Sequence, residues 1–255
     1  LTGLPNNHRD FDLPLNRVLH TDCPHYYRYK KDNESEEQFA TRCADNLRKL
    51  ILKEGQDTIA AFFAEPVIGA GGIIPPPKTY FEKIQKILQE YRILFVVDEV
   101  ICGFGRTGNM FGSQTYNLQP DMISVAKGLS SGYQPISALM VSENIFRSIK
   151  IESEKIGIFS HGYTYGGHPV PCAVALETLR IYDRINIVEH VNKVSPTFQN
   201  GIRSLIDHPL VGDARGVGLL GAIELVKNKQ TKEPFNSSDE VGALFAKQIQ
   251  SNGLI

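Results

Sequence analysis

Apolar residues between positions 34 and 54 recur at helical spacing, with Phe39, Cys43, Leu47, Leu50 and Ile51 on one face. Ser35 followed by Gln38 supplies a capping box at the start of that helix. The pattern then changes. "TIAAFFAEPV" is a continuous apolar run and predicts a buried strand closed by Pro66. "GAGGIIPPP" is a loop. From Thr79 to Tyr91 the helical period returns, and Tyr80, Ile84, Ile87, Leu88 and Tyr91 share a face. "ILFVVDEV" is apolar up to its acidic end, the mark of a strand covered on both sides. "DMISVAKG" and "ISALMVS" predict two more short strands, followed by a helix around 143–150. A long helix runs from His168 through Ala175, Leu176 and Leu179 to about Ile185, and another begins near Val188. "HPLVGDARGVGLLGAIELV" reads as strand, and Ser237 is placed to cap a last helix. Residues 1–33 have no period and read as loop and short irregular structure.

Strand–helix alternation over the first 165 residues predicts an α/β domain with a mainly parallel sheet. The pattern after about 180 reads as the opening of a smaller α+β domain, so the expected division is 1–180 and 181–255. The chain starts at Leu1, not Met, and ends in "GLI", which reads as a strand just beginning; an internal piece of a longer protein is the expectation. With 255 residues, 42% of them hydrophobic and 22% charged, the composition suits a sizeable globular core. A net charge of −1 carries no basic excess for nucleic acid or an anionic membrane. No apolar run reaches the roughly 18 residues of a membrane span. The four cysteines, Cys23, Cys43, Cys102 and Cys172, form no C-x-x-C pair. They are expected to be reduced and buried, as in the cytoplasm or, for a eukaryotic chain, a mitochondrial matrix.

The chemistry concentrates in "FVVDEVICGFGRTG", Phe95 to Gly108. Gly103, Gly105 and Gly108 spell a dinucleotide fingerprint. That motif needs a helix directly after the glycines and an acidic residue about 20 positions on. "NMFGSQTYNLQPD" follows instead, and the next strand ends in Lys127. A nucleotide hydrolase would use Asp98 for magnesium and Glu99 for water, but the G-x-x-x-x-G-K-[ST] loop it requires is absent from the chain. The third reading joins Asp98 to Lys127. Each stands at the end of a short apolar strand, and ligands collect at the carboxyl ends of parallel strands. A Schiff-base lysine and an aspartate facing a pyridine nitrogen are what pyridoxal phosphate chemistry needs. Taken singly, a lysine after a strand is usually a solvated loop residue and an aspartate a turn former. The histidines have no carboxylate or cysteine grouped with them at ligand spacing, so no metal site is expected.

Together "FFAEPVIGAGGIIPPPKTYF", "LFVVDEVICGFGRTGNMFG", "PDMISVAKGLSSGYQPISALMVS" and "FSHGYTYGGHPVPCAVALETL" resemble the class III (ω-amino acid) pyridoxal-phosphate aminotransferases in order and spacing. "HTDCPHYYRY" and "DARGVGLLGAIEL" look most like the branch of γ-aminobutyrate transaminases that use pyruvate or glyoxylate. The resemblance implies a fold-type I transferase, with helices on both faces of a central sheet, and pyridoxal 5'-phosphate as cofactor. It implies that Lys127 holds the cofactor and shuttles protons, that Asp98 pairs with the pyridinium nitrogen, and that Val100 packs on the ring. Thr164 would reach the cofactor phosphate of a neighbouring subunit in a homodimer with shared active sites. Glu65 matches a site glutamate that pairs with a mobile arginine. The reaction implied is ping-pong transfer of an amino group, most simply from 4-aminobutanoate, to pyruvate or another 2-oxo acid. Two departures stand out. Ile101 occupies a position that is often Gln, and the family's Gly-Ser phosphate cradle and substrate arginine have no counterpart in these residues. A truncated, non-catalytic form of the fold is therefore the alternative, with the Asp98–Glu99 hydrolase behind it.

Overall fold

The computed structural model describes residues 1–254, the Ser237 side chain excepted. Of the strand expected to begin in "GLI", Gly253 and Leu254 are not in a strand, Gly253 turning at φ +86, and Ile255 lies outside the described residues, as does the cap expected of the Ser237 side chain. Two short helices, α1 (Pro5–Asp10) and α2 (Tyr26–Tyr29), lie in the aperiodic N-terminal stretch. They precede α3 (Glu36–Glu54), whose capping box forms: Gln38 N donates to Ser35 Oγ at 3.2 Å and Ser35 N to Gln38 Oε1 at 2.8 Å. Then come β1 (Ala61–Ala64), α4 (Tyr80–Tyr91), β2 (Leu94–Asp98), the single turn α5 (Gly112–Thr115), β3 (Met122–Val125) and β4 (Ala138–Val141). The chain continues through α6 (Glu143–Ile156), α7 (Pro169–Arg184), α8 (Ile187–Ser204), β5 (Val211–Val217), β6 (Leu220–Leu225) and α9 (Val241–Ser251). The last helix starts after Glu240, and Ser237 opens a separate 3-10 turn.

The main sheet has the order β1-β2-β3-β4; β1, β2 and β3 run parallel and β4 pairs antiparallel with β3. The apolar faces of α3 and α4 close over Phe95 and Val97 of β2, with Phe39, Ile51, Ile84 and Leu88 among the buried residues. Each large side chain so buried contributes roughly 1.5–3 kcal/mol. A separate cluster joins Val125 of β3 to Ala175 and Leu179 of α7. The hairpin β5–β6 packs on α8, and α7 runs unbroken through position 180.

Two expectations change. The strand in "TIAAFFAEPV" is not buried: among the described residues it is the sheet's edge, paired only with β2, and Phe63 is 48% exposed. At the other edge all four residues of β4 are exposed, and α6, which extends to Ile156, buries none of its side chains. Phe146 and Ile151 of this helix are 51% and 54% exposed.

Candidate active site

Three consecutive parallel strands each deliver one ionisable residue at the carboxyl edge of the sheet. Glu65 follows β1, Asp98 closes β2, and Lys127 stands two residues after the end of β3. The registers place them side by side, Ala64 opposite Val97 and Asp98 opposite Ser124. Glu65 feels the charges of the other two. Burial pushes the Glu65 carboxyl up and the Asp98 charge adds to this, while the Gly69 N–H and the Lys127 ammonium oppose it.

Local backbone chemistry sets each residue's direction. Asp98 Oδ1 accepts a hydrogen bond from Val100 N at 2.9 Å, an Asx turn that ends the strand. Val100 therefore sits beside Asp98 through a turn, not through strand alternation, and is half-buried. Glu65 Oε2 accepts from Gly69 N at 2.8 Å. Ile101 lies over the same loop, since a Cβ on Gly69 would stand 2.3 Å from Ile101 Cδ1. Lys127 has φ +36, a left-handed conformation that costs a non-glycine residue energy. The turn it opens is pinned by Leu129 N donating to Ala126 O at 2.8 Å and by Tyr182 Oη of α7 donating to Gly128 O at 2.8 Å. Gly128 lets Phe104 approach; a Cβ there would stand 2.8 Å from its ring. The Lys127 side chain is exposed, and its ammonium has no hydrogen bond or ion pair among the described residues.

Glu99 points the other way. It is 0% exposed, and its two oxygens accept from Gly112 N at 2.9 Å and Ser113 N at 2.6 Å. Burial pushes its carboxyl up and those donors oppose it. This carboxylate folds the glycine loop back onto α5 and cannot activate water, so the hydrolase reading loses its base. The glycines of the loop serve packing. Gly108 O accepts from Asn192 Nδ2 of α8 at 2.9 Å, and Arg106 O accepts from Leu219 N at 2.9 Å. Replacing Glu99 with Ala is expected to cost about 3–5 kcal/mol, because two buried N–H groups lose their acceptor. Urea unfolding measures it, and a loss below about 1 kcal/mol would remove this role.

The other candidates lie elsewhere. Thr164 is on an exposed turn with no partner among the described residues. His168 caps α7 by accepting from Val170 N at 3.2 Å, and His161 is exposed. Of the cysteines, Cys43 and Cys102 are buried, as expected, and burial pushes both thiols up to about 12. Cys23 and Cys172 are exposed, contrary to expectation, because they lie on the N-terminal segment and at the start of α7 and not on core faces.

An ion network escaped the sequence reading. Arg215 of β5 donates through Nη1 to Asp213 Oδ2 at 2.8 Å and to Glu224 Oε2 of β6 at 2.7 Å. Glu224 also accepts from Arg28 Nε. "HTDCPHYYRY" and "DARGVGLLGAIEL" thus meet. Burial pushes the Glu224 carboxyl up, but donors from His25, Arg28 and Arg215 overcome it and hold it down at about 2. His25 Nε2 is 3.3 Å away and poorly aligned, so the two guanidiniums account for most of this. His25, Asp213 and Glu224 cluster closely enough to hold a metal ion. Two guanidiniums already neutralise the two carboxylates, which leaves a cation nothing to offset its charge. Since the folded pKa of about 2 lies below the ordinary 4.5, Glu224 stabilises the fold above pH 4.5 and that contribution fades as pH falls toward 2. Glu224→Gln should remove on the order of 2 kcal/mol of acid-dependent stability. Parallel pH–stability curves for parent and variant across that window would refute it.

Known proteins share this arrangement. The family Aminotransferase class-III matches residues 8–255. Gamma aminobutyrate transaminase 3, chloroplastic, of Solanum lycopersicum is 56% identical over 255 residues, 100% of this chain and 49% of that protein. Gamma-aminobutyrate transaminase 1, mitochondrial, of Oryza sativa subsp. indica is also 56% identical, over 100% of this chain and 49% of its own length. Among solved structures, one described as "Transaminase with L-ala" superposes with a TM-score of 0.96 at 53% identity, over 100% of this chain and 60% of that one. The omega transaminase from Pseudomonas jessenii in complex with PMP gives a TM-score of 0.97 at 50% identity, over 100% of this chain and 56% of that one. The chain spans about half the length of the curated relatives it matches. Its mainly parallel sheet with helices on both faces is that of the fold-type I transferases. With a family match over nearly its whole length and relatives that share more than half its residues, the chain belongs to the class III aminotransferases, a family that works with pyridoxal phosphate.

Proposed function

We propose that these residues form the lysine–aspartate half of a transaminase site that takes the amino group of an ω-amino acid and delivers it to a 2-oxo acid. The observation that carries the reading is the free amine of Lys127 standing with the Asp98 carboxylate at the ends of adjacent parallel strands. The residues fit a pyridoxal group. The amine has no competing partner among the described residues, Asp98 commits one oxygen to Val100 and keeps the other, and small residues follow the lysine. When bound, that group supplies an aldehyde carbon that captures amines and a ring that accepts electrons. Lys127 would hold it and yield to the donor amine, and its freed Nζ would move the proton from the donor's amine-bearing carbon. Asp98 would pair with the ring nitrogen and keep it protonated. Val100, fixed beside Asp98 by the Asx turn, would pack on the ring. Glu65, its carboxyl raised by burial, stands beside them at the end of β1. The same residues serve donor and acceptor in turn, which makes the cycle ping-pong.

The names of the tomato and rice relatives support 4-aminobutanoate as donor, and the branch resemblance supports pyruvate as acceptor. We place Thr164 at the cofactor phosphate of a second copy in a homodimer; its exposed turn suits contact with another chain. The compartments in the relatives' names, chloroplast and mitochondrion, favour an organelle interior over the cytoplasm. No helix is long and apolar enough to cross a membrane among the described residues. We assign 1–180 to the cofactor-binding domain and 181–255 to the opening of a smaller one.

The test is borohydride reduction of the full-length protein with its cofactor, then peptide mapping. The label should fall on the peptide carrying Lys127; a label elsewhere, or none, overturns the reading. The bare faces of β4 and α6 favour a second reading for the 255 residues taken alone, as a non-catalytic fold. Purified by themselves they would then dimerise and stay colourless.

A further inference from the structure

Arg215 does more than pair with carboxylates. Its Nε donates to Ile73 O at 3.0 Å and Gly72 O at 3.1 Å, and its Nη2 donates to Gly72 O at 2.7 Å. Those carbonyls belong to the loop that follows Glu65. The loop is a tight turn: Gly72 N and Ile73 N both donate to Gly69 O at 3.0 Å, and Ile68 bridges Ile74. At the turn's start Gly69 N donates to Glu65 Oε2. The path from guanidinium to the Glu65 carboxylate is thus one turn long. Two features show that the turn needs holding. Ile73, β-branched, sits at φ +49, where such residues are outliers. Gly72 has φ +127, a conformation that residues with side chains rarely adopt, and a Cβ there would crowd Arg215 Nη2 at 3.2 Å. Asp213 and Glu224 hold the guanidinium from behind.

We propose that Arg215 is a positioning residue for Glu65: by clamping the Gly69–Ile73 turn it fixes the Glu65 carboxylate on the wall of the pocket shared with Asp98 and Lys127. The β5–β6 hairpin is thereby coupled to the charge balance at the lysine. The proposal rests on the aminotransferase reading of that pocket, and its test has one arm that does not.

The arm independent of cofactor is amide hydrogen exchange on the full-length apoprotein. Arg215→Gln should speed exchange at Gly69, Gly72 and Ile73 at least tenfold. If exchange rises only within 211–225, Arg215 merely tethers the hairpin and the proposal fails. The second arm uses the loaded protein and follows the pH at which the cofactor's visible absorbance titrates. Glu65→Gln should shift it to lower pH, because a carboxylate is lost beside Lys127. Arg215→Gln should shift it the same way, and the double variant should shift it no further. Additive shifts overturn the proposal. If Arg215→Gln does not fold, Arg215→Lys keeps the charge between Asp213 and Glu224 but cannot span two successive carbonyls. It should show both effects, and parent-like exchange and titration in that variant overturn the proposal. A parent protein without cofactor absorbance would sink the functional reading instead and leave the exchange arm to decide on the clamp.

Discussion

Replacing Lys127 with Ala should lower transamination by at least about 10⁴-fold while leaving the protein folded, because one amine both holds the cofactor and moves the proton. The folded state has little to lose. Lys127 is exposed and makes no hydrogen bond or ion pair among the described residues. Its turn is held by the backbone and by Tyr182, neither of which depends on the lysine side chain. The left-handed backbone at φ +36 disfavours Ala as much as Lys, so the melting temperature should barely move. Lys127→Gly removes that strain and should be as stable as the parent or slightly more so, and equally inactive. Turnover within about tenfold of the parent in either variant would mean that another group does the chemistry. A large fall in melting temperature would mean that Lys127 is structural.

The second large effect is at Asp98, and Asn is the informative replacement. Asn keeps an oxygen for the Val100 N–H, so the Asx turn and the placement of Val100 survive. Only the charge is lost. Turnover should fall by about 10²–10³-fold, the usual consequence of removing one preorganised electrostatic partner. Glu65 reports the same change independently. The Asp98 charge helps raise its carboxyl, so Asp98→Asn should let the Glu65 pKa fall, observable by carboxyl-selective NMR titration. Asp98→Ala removes the turn acceptor as well and should be about 1 kcal/mol less stable than Asp98→Asn. Near-normal turnover in Asp98→Asn would refute the pairing with a ring nitrogen. An unchanged Glu65 titration would show that the two carboxyls do not share a pocket.

Both residues are legible in the sequence because they sit where period and polarity change. The run "FVVD" is apolar until its last residue, and "MISV" is apolar until just before Lys127. In a parallel sheet such ends face one crevice. Asp98 and Lys127 can therefore be paired from the chain alone, as can Ser35 and Gln38 in the capping box of α3. The direction of Glu99 is not legible in the same way. Next to Asp98 in sequence, it is equally acidic, yet it turns into the core to hold Gly112 and Ser113.

The sequence by itself determined the strands, the helices with apolar faces, and the placement of Asp98 and Lys127 at the strand ends, because each depends on residues close along the chain. The tertiary structure alone decided three other things. β1 and β4 became edges because the sheet's order leaves each a single partner among the described residues. The glycine loop became a packing element because α8 and the β5–β6 hairpin lie against it. Arg215 became a clamp on a turn 143 residues earlier in the chain. A hydrogen bond of that span leaves no periodic trace; it exists only once burial has desolvated both ends and brought them within reach.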